Sequence, residues 1–270
     1  MAAPCISVLM GVYYRRNDCG LLRRSVDSIL AQTFSDFELL VCDNGSSDEA
    51  SCLLAAYAQA DPRVRRIGLE GKYDLASKLN ACLKEAAGKY IARMDDDDYS
   101  MPERFQKQTA LLEARRDVSL VGSNVTLIQN GMPCGKRVFP EYPQIRDFFM
   151  TQPYIHPTLM FRKEALDAVG GYSENKRQVL CEDYDLLLRL YAKGYRGMNL
   201  QEDLLEYTLP STAKGNRKMC HRWNEAVTRW SRFRELGVLP RALPYVLKPL
   251  AVGVVPEFLL KGVKRQRDGA

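Results

Sequence analysis

The sequence predicts an α/β fold, in which a mostly parallel sheet is flanked by helices and a basic helical segment follows at the C-terminal end. Two features of the first hundred residues indicate this class. Short apolar runs of strand length alternate with segments whose apolar residues recur every three or four positions, which is the pattern of a parallel β-α-β sheet. Two of the runs end in acidic residues, and open α/β sheets bind ligands beyond the carboxyl ends of their strands.

The N-terminal half is predicted to have the order β-α-β-α-β-α-β. Apolar runs predict four strands, at 5–12, 37–42, 64–68 and 90–94. The helices between them each have an apolar face. Leu22, Val26 and Ile29 recur at helical spacing in the first helix, and Leu75 and Leu79 do so in the third.

The C-terminal half is predicted to mix helices, short strands and loops. We expect these elements in order: a helix at 105–115, a strand at 118–128, a turn at 130–131, a loop with one short helix at 140–153, a strand at 157–161, and helices at 163–169 and 181–192. Two short strands around Gly197 and Leu204 should follow. Two basic helical segments, about 216–236 and 241–265, complete the prediction.

The composition narrows the class of protein. Eight cysteines without a C-x-x-C pair, and only two histidines, argue against a zinc site and predict reduced thiols in a cytoplasmic protein. No apolar run reaches the roughly 20 residues that span a bilayer, and the N-terminus shows no signal peptide. Residues 214–270 hold 13 basic and 4 acidic residues, so this segment is expected to meet a membrane surface or another polyanion.

The strand at 90–94 runs directly into four aspartates, at 95–98. Adjacent carboxylates repel one another, and either solvation or a bound cation relieves that repulsion. Mg²⁺ and Mn²⁺ prefer carboxylate oxygens, and Mg²⁺ usually shares them with substrate phosphates. Taken alone, a solvated turn is the simpler interpretation. Ser100 and Glu103 fit an S-x-x-E capping box, which predicts that a helix begins directly after the turn.

A second acidic turn, beginning at Asp43, follows the strand at 37–42. Ser46 and Glu49 fit another capping box there. Because right-handed crossovers bring the carboxyl ends of parallel strands to one edge of a sheet, both turns are expected to face one crevice. A carboxylate at that edge can bind the base or the ribose of a nucleotide. An Asx turn that caps the next helix is an equally good interpretation of Asp43.

Further candidates for chemistry lie elsewhere in the chain. Glu182 and Asp183 open the predicted helix at 181–192, where acidic residues commonly complement the helix dipole. Beside a bound nucleotide, such a carboxylate is also suited to take the proton from an attacking hydroxyl. For His156 and Lys78, packing and solvation are the simplest roles. The sequence has no G-x-G-x-x-G loop and no P-loop, which argues against Rossmann dehydrogenases and P-loop kinases.

The order of these motifs resembles the GT-A-type family 2 glycosyltransferases, especially the bacterial enzymes that assemble surface polysaccharide, lipopolysaccharide and capsule. The similarity runs from about Ile6 to about Tyr207. It is carried by short motifs at 7–13, 32–34, 43–48, 90–98, 102–105, 156–158, 170–172 and 182–185. The Gln-x-x-Arg-Trp motif of processive synthases is absent, which favours the addition of a single sugar.

The resemblance implies an inverting enzyme that uses a nucleotide-sugar, a UDP-sugar in the first place, together with Mn²⁺ or Mg²⁺. It implies that the donor is bound by Val12, Tyr13, Asp43, Lys78, Asp95 and Asp96. It implies Asp97 and Asp98 as metal ligands, Asp183 as the general base, and His156 and Glu182 on the acceptor side. Asp96 stands where a small residue is usual in the family, so Asp96, Asp97 and Asp98 all remain open as the metal ligand.

The resemblance also implies a division of the chain. A catalytic domain is expected at 1–212, with a nucleotide-sugar-binding half at 1–100 and an acceptor-binding half at 101–212. A basic helical extension is expected at 213–270. Within it, 241–267 combines apolar pieces with Lys and Arg and can lie on an anionic membrane; a helical cap packed on the domain is the alternative.

These inferences predict a cytoplasmic enzyme that is peripheral on the inner face of the plasma membrane and has a glycan or a lipid-linked glycan as its acceptor. No nucleic acid partner is expected. Two rival functions remain. A sugar-phosphate nucleotidyltransferase would carry a Gly-rich basic loop after its first strand, and this sequence has none there. A non-catalytic nucleotide- or cation-binding module would use the acidic turn only for structure.

Overall fold

The computed structural model of the chain describes residues 3–14, 18–71, 74–175, 178–209 and 218–254. Its strands are β1 (Ile6–Val12), β2 (Phe37–Asp43), β3 (Val64–Arg66), β4 (Tyr90–Arg93), β5 (Tyr99–Ser100), β6 (Leu120–Gln129), β7 (Met132–Arg137), β8 (Met160–Arg162) and β9 (Gly197–Thr208). Its helices are α1 (Gly20–Leu30), α2 (Asp48–Ala60), α3 (Leu75–Glu85), α4 (Arg104–Ala114), α5 (Lys163–Ala168), α6 (Glu182–Ala192), α7 (Met219–Glu235) and α8 (Leu239–Val254). Two short 3₁₀ helices span Ile145–Phe148 and His156–Thr158.

The described strands form one mixed sheet in the order β3-β2-β1-β4-β8-β6-β9-β5, with β7 paired to β6. β1 is parallel to β2 and β4, and β2 is parallel to β3. β8 is antiparallel to both β4 and β6, whereas β6 and β9 are parallel. The predicted α/β class is confirmed, and every described antiparallel pair involves a strand that follows β4.

Apolar side chains cover both faces of this sheet. Successive residues of β1 alternate between the faces, so that Val8 and Met10 belong to one apolar cluster and Leu9 belongs to the other. Leu22 of α1 packs in the first cluster and Leu79 of α3 in the second. Because the central parallel strands are buried on both sides, they read in the sequence as continuous apolar runs.

Both predicted capping boxes are wrong. The hydroxyl of Ser47, not Ser46, caps α2 by accepting from the N–H of Ala50 at 3.3 Å. Ser46 instead accepts from the N–H of Tyr14 at 2.9 Å, which joins the second acidic turn to the residues after β1. Ser100 lies in β5, and α4 has no side-chain cap. Pairing of β5 with β9 therefore overrides the local helix-start pattern.

Two strand predictions in the C-terminal half also need correction. The segment predicted as a strand at 157–161 begins as a 3₁₀ turn, because Pro157 has no N–H for a strand ladder and its fixed φ suits a helical turn. The two short strands expected around Gly197 and Leu204 are one strand, β9, whose pairing with β6 shifts register midway.

The hairpin of β6 and β7 was predicted only in part. The turn is confirmed, because Asn130 and Gly131 adopt φ values of 51° and 77°, the left-handed conformation that a tight hairpin needs. The returning strand β7 was not predicted. Its residues include Pro133 and Gly135, which weaken a strand pattern.

The two predicted basic helices are present as α7 and α8, and both pack on the domain. Phe233, Ala242 and Val246 are at most 4% exposed and belong to the apolar cluster that contains α6. This part of the extension therefore forms a helical cap. The rest of it, 213–217 and 255–270, lies outside the described residues. Among the residues that the structure describes, none of the helices combines the length and the apolar character needed to cross a membrane.

Candidate active site

A cleft of about 680 Å³ opens beyond the carboxyl end of β4. Arg93 and Asp95 lie at this strand end and line the cleft. The first turn of α6 also lines the cleft, with Glu182 and Asp183, and His156 contributes from a 3₁₀ turn. Three separate segments thus bring carboxylates, an imidazole and a guanidinium to one space.

The cation at the strand end is Arg93, which is 1% exposed. It forms an ion pair with Asp95 and donates to the carbonyl of Met94. Its Nε is buried and has no hydrogen-bond partner within the described residues. Because Asp95 partly neutralises this buried guanidinium, the two side chains depend on each other for their position.

Asp96 connects the acidic turn to the end of β1. Its Oδ2 accepts from the backbone N–H of Tyr13 at 3.4 Å. Burial, and next the charge of Asp95, raise the pKa of Asp96 to about 6, because both disfavour its ionised form. A bound cation, or a group that donates a hydrogen bond, would therefore stabilise the ionised carboxylates of this turn.

Lys78 holds the ends of β1 and β2 together. Its side chain is 1% exposed, and its Nζ donates to the carbonyls of Val12 at 2.5 Å and Asn44 at 2.9 Å. The ring of Tyr13 lies 5.0 Å from this nitrogen. Burial lowers the pKa of Lys78, although Asp43 and other nearby acidic groups oppose that shift. The expected default of a solvated lysine is wrong; direct contact with a nucleotide stays a prediction.

Asp43 lies next to Val12, because these two residues pair in the register of β1 and β2. One oxygen of its carboxylate, Oδ1, is buried without a hydrogen-bond partner among the residues described. A buried acceptor without a partner is costly. The geometry therefore suits a ligand with an N–H or O–H group, which fits the predicted contact with a nucleotide base.

The end of the acidic turn is fixed by β9. Asp98 is fully buried, and its Oδ1 accepts from the N–H of Thr208 at 2.8 Å. The hydroxyl of Thr208 donates to the backbone carbonyl of Asp97 at 2.5 Å. Burial, followed by the charges of Asp95 and Asp97, raises the pKa of Asp98 well above its ordinary value.

The acidic turn fits a cation that is shared with a ligand. Within the described ranges, no group of three acidic, histidine or cysteine side chains forms a ready-made cation site. Mg²⁺, however, is commonly held by one or two carboxylates together with substrate phosphates. Oδ2 of Asp98 is buried and has no partner in the described part of the chain. The turn thus offers hard oxygen donors but leaves most of the coordination to water and substrate.

The acceptor-side residues show a different kind of environment. Nε2 of His156 lies 2.8 Å from the hydroxyl of Tyr172. Burial, together with the charge of Arg93, lowers the pKa of His156 well below its ordinary value, so the imidazole is neutral at pH 7. Burial, and next the charge of Asp183, raise the pKa of Glu182 to about 7. Oδ1 of Asp183 accepts from the N–H of Tyr184 at 2.7 Å.

Comparison with known proteins decides the family. Residues 7–170 match the family model described as Glycosyl transferase family 2. The chain belongs to glycosyl transferase family 2. This match confirms the resemblance found in the sequence motifs.

Two bacterial relatives of this family 2 chain are similar over most of its length. The protein named as glycosyltransferase EpsE, from Bacillus subtilis (strain 168), is 33% identical over 274 residues, which cover 99% of this chain and 98% of the relative. The O-antigen biosynthesis glycosyltransferase WbnJ of Escherichia coli is 36% identical over 210 residues, which cover 76% of this chain and 79% of the relative. This family 2 protein is therefore an enzyme, a glycosyltransferase, with relatives in polysaccharide biosynthesis.

Solved structures show the same fold. S. aureus TarS 1-349 in complex with UDP-GlcNAc has a TM-score of 0.67 at 19% identity, covering 90% of this chain and 72% of TarS. The mannosyltransferase PcManGT from Pyrobaculum calidifontis, in complex with GDP-Man and Mn²⁺, has a TM-score of 0.61 at 18% identity, covering 98% of this chain and 80% of PcManGT. These likenesses confirm the GT-A fold of the family 2 chain.

The cleft of this family 2 enzyme brings together four of the predicted site residues, namely Asp95, His156, Glu182 and Asp183. The other predicted residues do not line the cleft. Those of the donor side lie around the ends of β1 and β2, namely Val12, Tyr13, Asp43 and Lys78. Asp96, Asp97 and Asp98 follow directly after Asp95 in the acidic turn.

Sequence reasoning missed three groups of this family 2 site. The sequence pattern predicts Arg93 only as part of a strand, although a charged residue within an apolar run is itself a signal of function. Tyr172 was visible in a family motif but had no assigned partner. Glu225 and Arg229 of α7 also line the cleft, and no local pattern in a basic helix indicates this.

Proposed function

We propose that this glycosyltransferase is an inverting, metal-dependent enzyme that moves one sugar from a UDP-sugar to a hydroxyl of a glycan or a lipid-linked glycan in cell-surface polysaccharide synthesis. The observation that carries the proposal is that Asp95 and Asp183, which come from separate segments of the chain, line one cleft. A donor diphosphate near Asp95 and an acceptor hydroxyl near Asp183 would place the sugar between them. Attack from the side opposite the leaving group inverts the anomeric carbon.

The donor half is formed by the ends of β1 and β2 and by the acidic turn. The partnerless oxygen of Asp43 suits a donor group on the base, and Tyr13 offers an aromatic ring that is 51% exposed. Asp95 and Asp96 would contact the ribose and the diphosphate of the same donor. The TarS structure compared above is a complex with UDP-GlcNAc, which supports a uridine nucleotide.

A divalent cation at the acidic turn would be held by Asp97, with Asp98 behind it, and by the donor diphosphate. When bound, Mn²⁺ or Mg²⁺ supplies Lewis acidity to the leaving diphosphate. The PcManGT complex compared above includes Mn²⁺, which supports a metal requirement. The chain's own contribution is to fix the turn through Thr208, whose N–H and hydroxyl contact Asp98 and Asp97.

The acceptor half is formed by the first turn of α6 and the segment around His156. Asp183 is the group we assign as general base on the acceptor hydroxyl, and Glu182 beside it is 9% exposed. The neutral imidazole of His156 can donate or accept a hydrogen bond to the acceptor without adding charge. This arrangement keeps the proton transfer of the reaction at the carboxylate.

Peripheral contact with an anionic membrane would bring the enzyme to a lipid-linked acceptor. Trp223 and Trp230 are 60% and 46% exposed and lie seven residues apart on one face of α7. Leu243 and Leu247 are 43% and 56% exposed on α8. Exposed tryptophans suit the membrane interface, and nearby Lys and Arg favour an anionic leaflet.

A panel of nucleotide-sugars tests the proposal. Purified enzyme, with and without Mn²⁺, is given UDP-, GDP- and TDP-sugars and a bacterial lipid-linked or glycan acceptor extract, and nucleotide release and product anomer are measured. We expect UDP release that requires both acceptor and cation, and a product of inverted configuration. A retained anomer, or a turnover that EDTA leaves unchanged, would contradict the proposal.

A further inference from the structure

One face of α7 is bound to the first turn of α6. Glu225, Thr228, Arg229 and Arg232 follow the spacing i, i+3, i+4, i+7, which places them on the same side of the helix. Each of these residues either contacts the turn at 181–185 or supports another residue that does. This turn carries Asp183, so the contacts of α7 bear directly on the proposed base.

The strongest of these contacts is an ion pair. Asp185 is fully buried, and its Oδ1 accepts from Nε of Arg232 at 2.7 Å. Oδ2 of the same carboxylate accepts from Nε of Arg189 at 2.7 Å, and Gln178 also donates to Oδ1 at 2.7 Å. A buried carboxylate needs such partners, since removal of one leaves charge without compensation. Asp185 is therefore locked in place two residues after Asp183.

The second contact involves Arg229, which is 3% exposed. Its guanidinium stacks on the ring of Tyr184 at 4.7 Å and donates to the carbonyl of Phe149 at 2.7 Å. Glu225 accepts from its Nε at 3.0 Å. Both Glu225 and Arg229 line the cleft itself, so α7 forms part of the wall beside Asp183.

The turn before α6 has a backbone conformation that needs support. Leu180 lines the cleft with φ of 66°, in the left-handed region that a branched side chain rarely adopts. Such a conformation is energetically unfavourable and persists only where surrounding contacts determine it. Oδ1 of Asp185 accepts from both Gln178 and Arg232, and this shared oxygen links the segment before α6 to α7.

We propose that α7 contributes positioning residues to the active site. Arg232 and Arg229 hold the first turn of α6 so that Asp183 faces the acceptor. The inference rests on the proposed function of Asp183. It concerns a helix beyond residues 7–170, the part that matches the family model. The helical extension would thus be required for transfer and not for donor binding.

Three variants test this positioning role. Arg232→Gln removes the ion pair with Asp185, and Arg232→Lys keeps the charge but loses the planar group that bonds Asp185 and Glu235 together at 2.7 Å each. Arg234→Gln is the matched control, because Arg234 is exposed on the same helix. For each protein, we would measure the donor Kd by calorimetry, kcat and acceptor KM for transfer, and amide hydrogen exchange of peptides at 181–190 and 90–100.

We expect kcat to fall at least tenfold in Arg232→Gln and at least threefold in Arg232→Lys. The donor Kd should stay within twofold, exchange should become faster at 181–190 only, and Arg234→Gln should match the wild type. A wild-type kcat in Arg232→Lys, or an equal loss of donor affinity, would overturn the proposal. If Arg232→Gln does not fold, the kcat and the donor Kd of Arg232→Lys alone decide whether the proposal holds. If the wild type transfers no sugar, the proposed function fails, and the exchange data still decide whether α7 holds the turn.

Discussion

Nε2 of His156 and the hydroxyl of Tyr172 lie 2.8 Å apart, and the two rings pack edge to face at 5.5 Å. Both residues are buried, and His156 lines the cleft. This bond holds one nitrogen of the imidazole in place and thereby fixes the orientation of the ring. The orientation of His156 toward an acceptor therefore depends on a residue 16 positions away in the chain.

Tyr172→Phe should lower kcat/KM for the acceptor about tenfold, because a lost hydrogen bond of a buried group costs about 1–2 kcal/mol. The donor Kd should not change. Since burial keeps the pKa of His156 well below its ordinary value, the imidazole is neutral near pH 7, and the acid limb of a rate profile recorded from pH 6 to 9 should not move. Steady-state kinetics over that range check this, with Tyr195→Phe as the control. A shifted acid limb would show that His156 itself titrates in the reaction.

Asp183→Asn should keep the donor Kd within twofold and lower kcat for transfer by about 10²–10⁴, the usual contribution of a general base. The amide is similar in size and can still accept from the N–H of Tyr184, so the fold should be kept. Asp117→Asn, at an exposed carboxylate paired with Arg115, serves as control. Full turnover by Asp183→Asn would exclude it as the base.

Asp97→Ala should abolish the part of UDP binding that depends on Mn²⁺. In the wild type we expect EDTA to weaken UDP binding at least tenfold, because carboxylate and diphosphate oxygens share the cation. In Asp97→Ala, binding should be weak with or without Mn²⁺. The backbone carbonyl of residue 97 still accepts from Thr208 in this variant, so the melting temperature should change little. A variant that keeps the response to Mn²⁺ would move the ligand to Asp96 or Asp98.

The parallel half of this fold is readable from sequence because its strands are buried on both faces. β1, β2 and β4 appear as uninterrupted apolar runs, and the acidic residues that follow them mark the ligand-binding edge. β7 escaped prediction because Pro133 and Gly135 interrupt it. Ser100 was misassigned because a distant partner, β9, outweighs the local capping pattern.

The sequence predicts site residues only where the functional groups are neighbours along the chain. The aspartates at 95–98 and the pair Glu182 and Asp183 could be found from their order along the chain. The burial of Lys78, and its bonds to the carbonyls of Val12 and Asn44, depend on how α3 packs against the sheet. From the sequence alone, a basic helix such as α7 is predicted to have a solvated surface. Only the structure reveals that Arg232 donates to the buried carboxylate of Asp185.

Glu182→Gln should flatten the dependence of stability on pH. Because the pKa of Glu182 is raised to about 7 in the folded protein, the folded state holds a proton that the unfolded state releases above about pH 4.3. The wild type should therefore lose free energy of unfolding between about pH 4.5 and 7, and little more above pH 7. We expect Glu182→Gln to be spared about 1–3 kcal/mol of that loss. Urea unfolding of both proteins at pH 4.5, 6 and 8 measures the free energy of unfolding. If it changes equally with pH in both proteins, the pKa of Glu182 is not raised.

Removal of the exposed tryptophans should release the enzyme from anionic membranes. Deleting 241–270 would be a poor test, because Ala242 and Val246 are buried in the core and their loss would destabilise the domain. Trp223 and Trp230 instead project from α7, and burying a large apolar side chain is worth about 1.5–3 kcal/mol.

We expect the double substitution Trp223→Ser/Trp230→Ser to lower partitioning onto vesicles with phosphatidylglycerol at least tenfold, with the melting temperature unchanged. Sedimentation with these vesicles and with neutral phosphatidylcholine vesicles, at low and high salt, separates the contribution of the apolar side chains from that of the basic side chains. Met132→Ser removes an apolar side chain that is even more exposed, at the β6–β7 hairpin, and should have no effect. Because Lys and Arg contribute about 1 kcal/mol each near an anionic surface, wild-type binding should also weaken as salt rises. Equal binding of the wild type and the double variant would show that this face of α7 does not meet the membrane.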